Sequence, residues 1–166
     1  LAGASVQHIR SSNPQEVANV LWALAKLSWY DGVIVSKLAG AAREVVSSST
    51  PQEMANSLWS LSTLGWYERA VYDELLWGLV RSHEQPLPQA LSNAILSCAM
   101  ASHSGAAVDA LAGEVSKQSL SGWNEQALSN GLYAWSVLSL LGVASPELNA
   151  MASALFIEVN SRGPAS

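Results

Sequence analysis

Charge is scarce in this chain: only 13% of its 166 residues are Asp, Glu, Lys or Arg. Eight basic residues against thirteen acidic ones leave a formal charge of −5, which excludes the broad basic surface that carries most nucleic-acid affinity. Cysteine occurs once, at Cys98, so no disulfide can close within the chain and nothing points to an oxidising compartment. The three histidines, His8, His83 and His103, are dispersed along the sequence, and Cys98 has no histidine near it in helical register. No HExxH, GxSxG, P-loop or dinucleotide fingerprint is present. Asp73 and Glu74 are adjacent, so on a helix they point roughly 100° apart and form no catalytic pair. These absences argue against an enzyme, because an activated group needs a base and an orienting partner within reach. Nor is a metal or other cofactor expected.

Charge is missing altogether from Gln126 to Pro146, a stretch long enough to raise the question of a membrane span. Gln126, Asn130 and Gly142 interrupt it, and no span is expected. The sequence starts without methionine, signal peptide or Arg-rich leader, so any targeting segment is expected to lie outside it.

What the chain does have is repetition. PQEVANVLWALAKL at Pro14, PQEMANSLWSLSTL at Pro51, PQALSNAILSCAMA at Pro88 and EQALSNGLYAWSVL at Glu125 begin 37 residues apart. Gln15, Gln52, Gln89 and Gln126 keep the register, as do Asn19, Asn56, Asn93 and Asn130. A period of this length belongs to two-helix repeats and far exceeds that of leucine-rich or nine-residue strand repeats. Almost every residue is helix-compatible. The expected fold is therefore all-α: a right-handed α-solenoid of about four 37-residue helical hairpins. Residues 1–12, through His8-Ile9-Arg10, match the end of a preceding second helix. Repeats follow at 13–49, 50–86, 87–123 and 124–161, with a tail at 162–166.

Capping chemistry sets the helix starts. Asn13 and Thr50 are N-caps, Pro14 and Pro51 occupy the first helical position, and Thr50 to Glu53 reads as a capping box. Leu87 supplies no polar cap to the third copy. Asn124 restores one in the fourth, where the proline is lost, so both later starts are expected to be weaker. Turn signals close the first helices near Asp31-Gly32, Gly65, Ser104-Gly105 and Gly142. Second helices are expected at about 33–47, 69–83, 106–119 and 146–159, with Leu38, Leu75, Leu111 and Leu148 as inward anchors.

At 100° per residue, Val17, Val20, Leu21, Leu24 and Ser28 share one face of the first helix, as do Met54, Leu58, Leu61 and Gly65 in the second copy. That face is the expected core, and Cys98, in the place of Leu24 and Leu61, is expected to be a buried small hydrophobe. The opposite face carries Gln15, Asn19, Trp22, Lys26 and Trp29, then Gln52, Asn56, Trp59, Thr63 and Trp66. The third copy gives Gln89, Asn93, Leu96, Met100 and His103, and the fourth Gln126, Asn130, Tyr133, Val137 and Leu140.

Two readings of this stripe stand side by side. In one, the amides bond the backbone of a neighbouring turn or helix and the tryptophans fill the wedge between repeats. In the other, the stripe lines a concave surface, where Asn and Gln offer paired donors and acceptors and the aromatic rings offer stacking planes. The candidate binding residues are Gln15, Asn19, Trp22, Lys26, Gln52, Asn56, Trp59, Gln89, Asn93, Gln126, Asn130 and Tyr133.

PQEVANVLWALAKL and PQEMANSLWSLSTLGWY resemble the first helix of octotricopeptide repeats, units of about 38 residues whose first helix reads close to P-x-x-L-A-N-x-L-W-A-L-A-x-L-G. The resemblance covers residues 14–161, strongly in the first two copies and weakly in the last two. Members of that family are organellar proteins of algae and related protists that bind specific RNAs in plastids or mitochondria, and related repeats occur in organellar assemblies. The resemblance implies a helical-hairpin solenoid, single-stranded RNA as ligand, and a plastid or mitochondrion as location. No nuclease-like module follows the repeats, so the resemblance carries no cleavage activity. The acidic balance keeps a second expectation open: a scaffold subunit of a large organellar complex that holds a protein partner with a basic segment. Neither expectation involves DNA.

Overall fold

The computed structural model describes residues 13–163, and the expectations for residues 1–12 and for the last three residues lie outside that range. Within it the chain is all-helical. The α-helices are α1 (Pro14–Lys26), α2 (Gly32–Glu44), α3 (Pro51–Thr63), α4 (Arg69–Val80), α5 (Pro88–Met100), α6 (Ala106–Lys117), α7 (Glu125–Leu140) and α8 (Pro146–Ser161). Short 3-10 turns at Val46–Ser48 and Leu120–Gly122 lead into α3 and α7. None of the described helices is long and apolar enough to cross a membrane.

Each odd-numbered helix packs on the even-numbered one that follows it. The odd helices also pack in chain order, α1 on α3 on α5 on α7, and the even helices run beside them in the same order. The first helices are the more closely joined row, and their side chains show why. Ser57, Ala94 and Gly131, with Ser60, Ser97 and Ala134 one turn later, are buried on α3, α5 and α7. Such small residues let neighbouring helix backbones approach closely. The buried serines satisfy their hydroxyls locally: Ser60 Oγ donates to the carbonyl of Asn56 at 2.7 Å and Ser97 Oγ to that of Asn93 at 2.6 Å.

Between the two rows runs one continuous core, with Leu58, Leu61, Leu76, Leu79, Leu91, Ile95 and Leu111 fully buried. Burial of each such side chain stabilises the fold by about 1.5–3 kcal/mol. Leu38, Leu75, Leu111 and Leu148 are all buried, as their expected anchoring role requires. Val20, Ser28 and Gly65 depart from the expected core: Val20 is 46% exposed, and Ser28 and Gly65 are exposed in the turn that ends the helix. Leu24 is only half-buried.

The caps follow the sequence closely. Asn13 Oδ1 accepts from the N–H of Glu16 at 2.8 Å, and Thr50 and Glu53 form the reciprocal capping box. Leu87 provides no side-chain cap. Asn124 does, accepting from Ala127 N at 2.8 Å, so only the third of these starts lacks a capping bond.

The helix ends differ from expectation. The left-handed residues that end the first helices are Ser28 (φ 51°), Gly65 (φ 70°), Ser102 (φ 52°) and Gly142 (φ 73°). At each, the paired hydrogen bonds of a Schellman motif form. Trp29 N donates to Leu24 O, Trp66 N to Leu61 O, His103 N to Cys98 O and Val143 N to Leu138 O. Asp31-Gly32 and Ser104-Gly105 therefore do not close the first helices. Asp31 is instead the N-cap of α2, accepting from the N–H groups of Val33 and Ile34, and Gly105 occupies the N-cap position of α6. The first three left-handed positions keep the repeat period, whereas Gly142 comes three residues late because α7 spans 16 residues where α1, α3 and α5 span 13.

Candidate functional site

The amides of the first helices make the same contact in three successive copies. Gln52 Nε2 donates to Asn56 Oδ1, Gln89 Nε2 to Asn93 Oδ1 and Gln126 Nε2 to Asn130 Oδ1, each at 2.8 Å. The spacing of four residues on a helix places the two side chains one above the other, so the pair is a local consequence of sequence. Neither the neighbouring turn nor the adjacent helix supplies the partner, which corrects the expectation that the asparagines bond another segment's backbone. The Nδ2 groups of Asn56, Asn93 and Asn130 donate to no described protein group, and none is a buried unpaired atom. Asn56 and Asn93, both half-buried, are thus held by their acceptors and keep donors for solvent or a ligand, whereas Asn130, a candidate binding residue, is buried. In α1, Gln15 and Asn19 are exposed.

Trp22 is 45% exposed and Trp59 half-buried, so neither is a core residue. Lys26 ties them together. Its Nζ lies 5.4 Å from the ring centroid of Trp22 and 5.5 Å from that of Trp59, within cation–π range of both. Tyr133, at the corresponding place in α7, is 59% exposed. Leu96 between them is half-buried. The row so formed is almost free of acid. On the first helices the acidic residues are Glu16, Glu53 and Glu125, each in the first turn, and α5 has none.

Two residues of the expected stripe lie elsewhere. His103 is fully buried, and Leu140, 88% exposed, is not its counterpart, because the longer α7 passes that role to Val143. His103 belongs to a polar cluster between the second and third helix pairs that sequence reading missed. Tyr67 Oη lies 3.0 Å from its Nδ1, and Asp73 Oδ1 lies 3.2 Å from its Nε2, near enough for charge interaction though not aligned as a hydrogen bond. The rings of Tyr67 and Tyr72 pack on the imidazole at centroid distances of 5.8 and 5.4 Å. Arg69 Nη1 donates to the carbonyl of Ser104 at 3.0 Å, completing the clasp.

Burial lowers the pKa of His103, opposed by the Asp73 carboxylate and reinforced by Arg69. Burial likewise raises the Tyr72 phenol and the Cys98 thiol well above their ordinary values, with a neighbouring charge adding to each. Cys98 is fully buried, as its place in the repeat required. The Schellman turn brings the backbone N–H of His103 onto the Cys98 carbonyl at 2.8 Å, a contact between main chains. No signal in the sequence marks this cluster beyond the recurrence of an aromatic or imidazole ring at Trp29, Trp66 and His103.

No group of three or more His, Cys, Asp or Glu side chains that could hold a metal ion occurs among the described residues. A cleft of about 400 Å³, lined by Ser47, Ser48, Ser49, Thr50, Arg81 and His83 among others, lies off the amide row. No protein-family model matches the chain, and no curated protein matches it.

Proposed function

We propose that the chain is a right-handed α-solenoid of four 37-residue hairpins, of the octotricopeptide-like kind, and that its first-helix row binds single-stranded RNA in an organelle without catalysing a reaction on it. The observation that carries this reading is the threefold recurrence of the Gln–Asn pair in one geometry, with the asparagine donors left over. Such donors suit the edges of unpaired bases and ribose hydroxyls, and Trp22, Trp59 and Tyr133 offer faces on which bases stack. The net charge of −5 weighs against tight binding, although most of the acids lie outside the first helices.

Lys26 is the one cation of that row. Binding should therefore be weak and only mildly salt-dependent, with a log–log slope of about −0.7 if a single phosphate is neutralised. Fluorescence titration with single-stranded RNA at low and moderate salt tests the proposal. Loss of binding on combining Asn19→Ala, Trp22→Ala and Asn56→Ala supports it, and absence of binding by the unaltered chain at low salt overturns it.

A second reading, a scaffold that holds a basic segment of a protein partner within a larger assembly, is favoured by the second helices. Glu44, Glu74 and Glu147 are exposed there without an ion-pair partner among the described residues. Stoichiometric co-purification of such a partner, lost at high salt, would support this reading.

A further inference from the structure

Equivalent residues of successive helix pairs should be equally buried unless a neighbour is missing. At one flank of α1 and α2 they are not. Val20 is 46% exposed, while its counterparts Ser57 and Ala94 are 4% and 0% exposed and Gly131 is buried. Ile34 is 37% exposed, while Val71, Val108 and Leu148 are at most 2% exposed. Ala23 is half-buried where Ser60, Ser97 and Ala134 are buried. Trp29 is 46% exposed where His103 is fully buried beneath Tyr67 of the pair before it. At the last of these positions the cover comes directly from the preceding pair, through Tyr67, and at the other three burial rises wherever a preceding pair is present.

We infer that the α1–α2 flank is a docking surface for a further helical hairpin of this same repeat type. The occupant is specified by the interface already formed three times in this chain. It must bring small residues like Ala18 and Ala25 onto Val20 and Ala23. It must also bring an aromatic ring, in the place of Tyr67, onto Trp29. The repeat in the sequence extends back to residues 1–5. Leu1-Ala2-Gly3-Ala4-Ser5 stands 37 residues before Leu38-Ala39-Gly40-Ala41-Ala42 and matches it at every position but the last. The inference rests on the stacked-hairpin part of the proposed function and is independent of what ligand the amide row takes.

The test is a lengthened chain in which a copy of residues 13–49 is inserted between Ser12 and Asn13, so that the 37-residue register continues. Amide exchange in the original α1 and α2 should slow by at least about tenfold, with a rise in the thermal midpoint. Placing Ala18→Glu and Ala25→Glu in the inserted copy alone should abolish both gains. The inference is overturned if the inserted copy is helical by circular dichroism yet leaves exchange and midpoint unchanged. It is equally overturned if the unaltered chain dimerises with Val20 and Ile34 of two copies facing each other. RNA titration of the same proteins reads the ligand proposal separately.

Discussion

The phenol of Tyr67 meets the imidazole of His103 across the seam between two helix pairs, oxygen to Nδ1, at 3.0 Å. With Nε2 carrying the proton on the side of Asp73, Nδ1 accepts from the Tyr67 phenol, while Nε2 lies 3.2 Å from the carboxylate without an aligned hydrogen bond. The contact joins residues 36 apart in sequence and fixes the second pair against the third.

It also makes the fold sensitive to acid. His103 has its pKa lowered, by burial first, so the unfolded chain takes up the proton before the folded one does. Stability is complete above the unfolded value of about 6.5 and falls as the pH drops below it toward the folded value. The urea midpoint should decline between pH 7.5 and 5.5. In His103→Gln it should start lower and stay nearly flat over that interval. An equally steep decline in the variant would assign the effect to another group.

The left-handed serines are places where stability can be gained. Ser28 and Ser102 hold the conformation that Gly65 and Gly142 adopt freely. Ser28→Gly and Ser102→Gly should each stabilise by about 0.5–1 kcal/mol, and Gly65→Ala should cost about 1 kcal/mol. Gly65 has no atom within 4 Å of where a Cβ would sit, so that cost is one of backbone alone. Denaturant melts of the three variants measure it.

Two helical glycines should respond in opposite directions. A Cβ on Gly131 would lie 2.7 Å from Leu155 Cδ1, a fully buried side chain with little room to move. Gly131→Ala should therefore destabilise by about 1–2 kcal/mol despite its better helix propensity. Gly113 meets nothing within 4 Å, and Gly113→Ala should stabilise by up to about 1 kcal/mol. Thermal unfolding of the two variants checks the sign of each.

Cys98 should be inert in the folded protein. Its thiol is buried, its pKa is raised by that burial and then by Asp73, and no thiolate is available at neutral pH. Reaction with a disulfide reagent should be at least about a hundredfold slower in buffer than in denaturant. Rapid modification of the native chain would show that the interior opens readily.

The sequence by itself determined whatever depends on residues a turn or less apart. The start of α3 at Thr50-Pro51, the alignment of Gln52 with Asn56, and the buried character of Cys98 all follow from spacing of one to four residues and from the repeat. Where sequence reading erred, the signal was local but ambiguous. Asp31-Gly32 reads as a turn and is a helix start, because the left-handed role had fallen to Ser28, a residue with no special claim to it. Gly142 was recognised, but the three extra residues of α7 that displace it were not.

Only the tertiary structure decided which members of the stripe are open. Trp22 is held with Trp59 by one lysine, while His103, in the same register as Trp29 and Trp66, is closed over by Tyr67 and Asp73. Backbone hydrogen bonds and caps are satisfied within a few residues, and so are written locally. The accessibility of a side chain depends on what a neighbouring helix pair places above it, and that is settled by packing across a whole repeat.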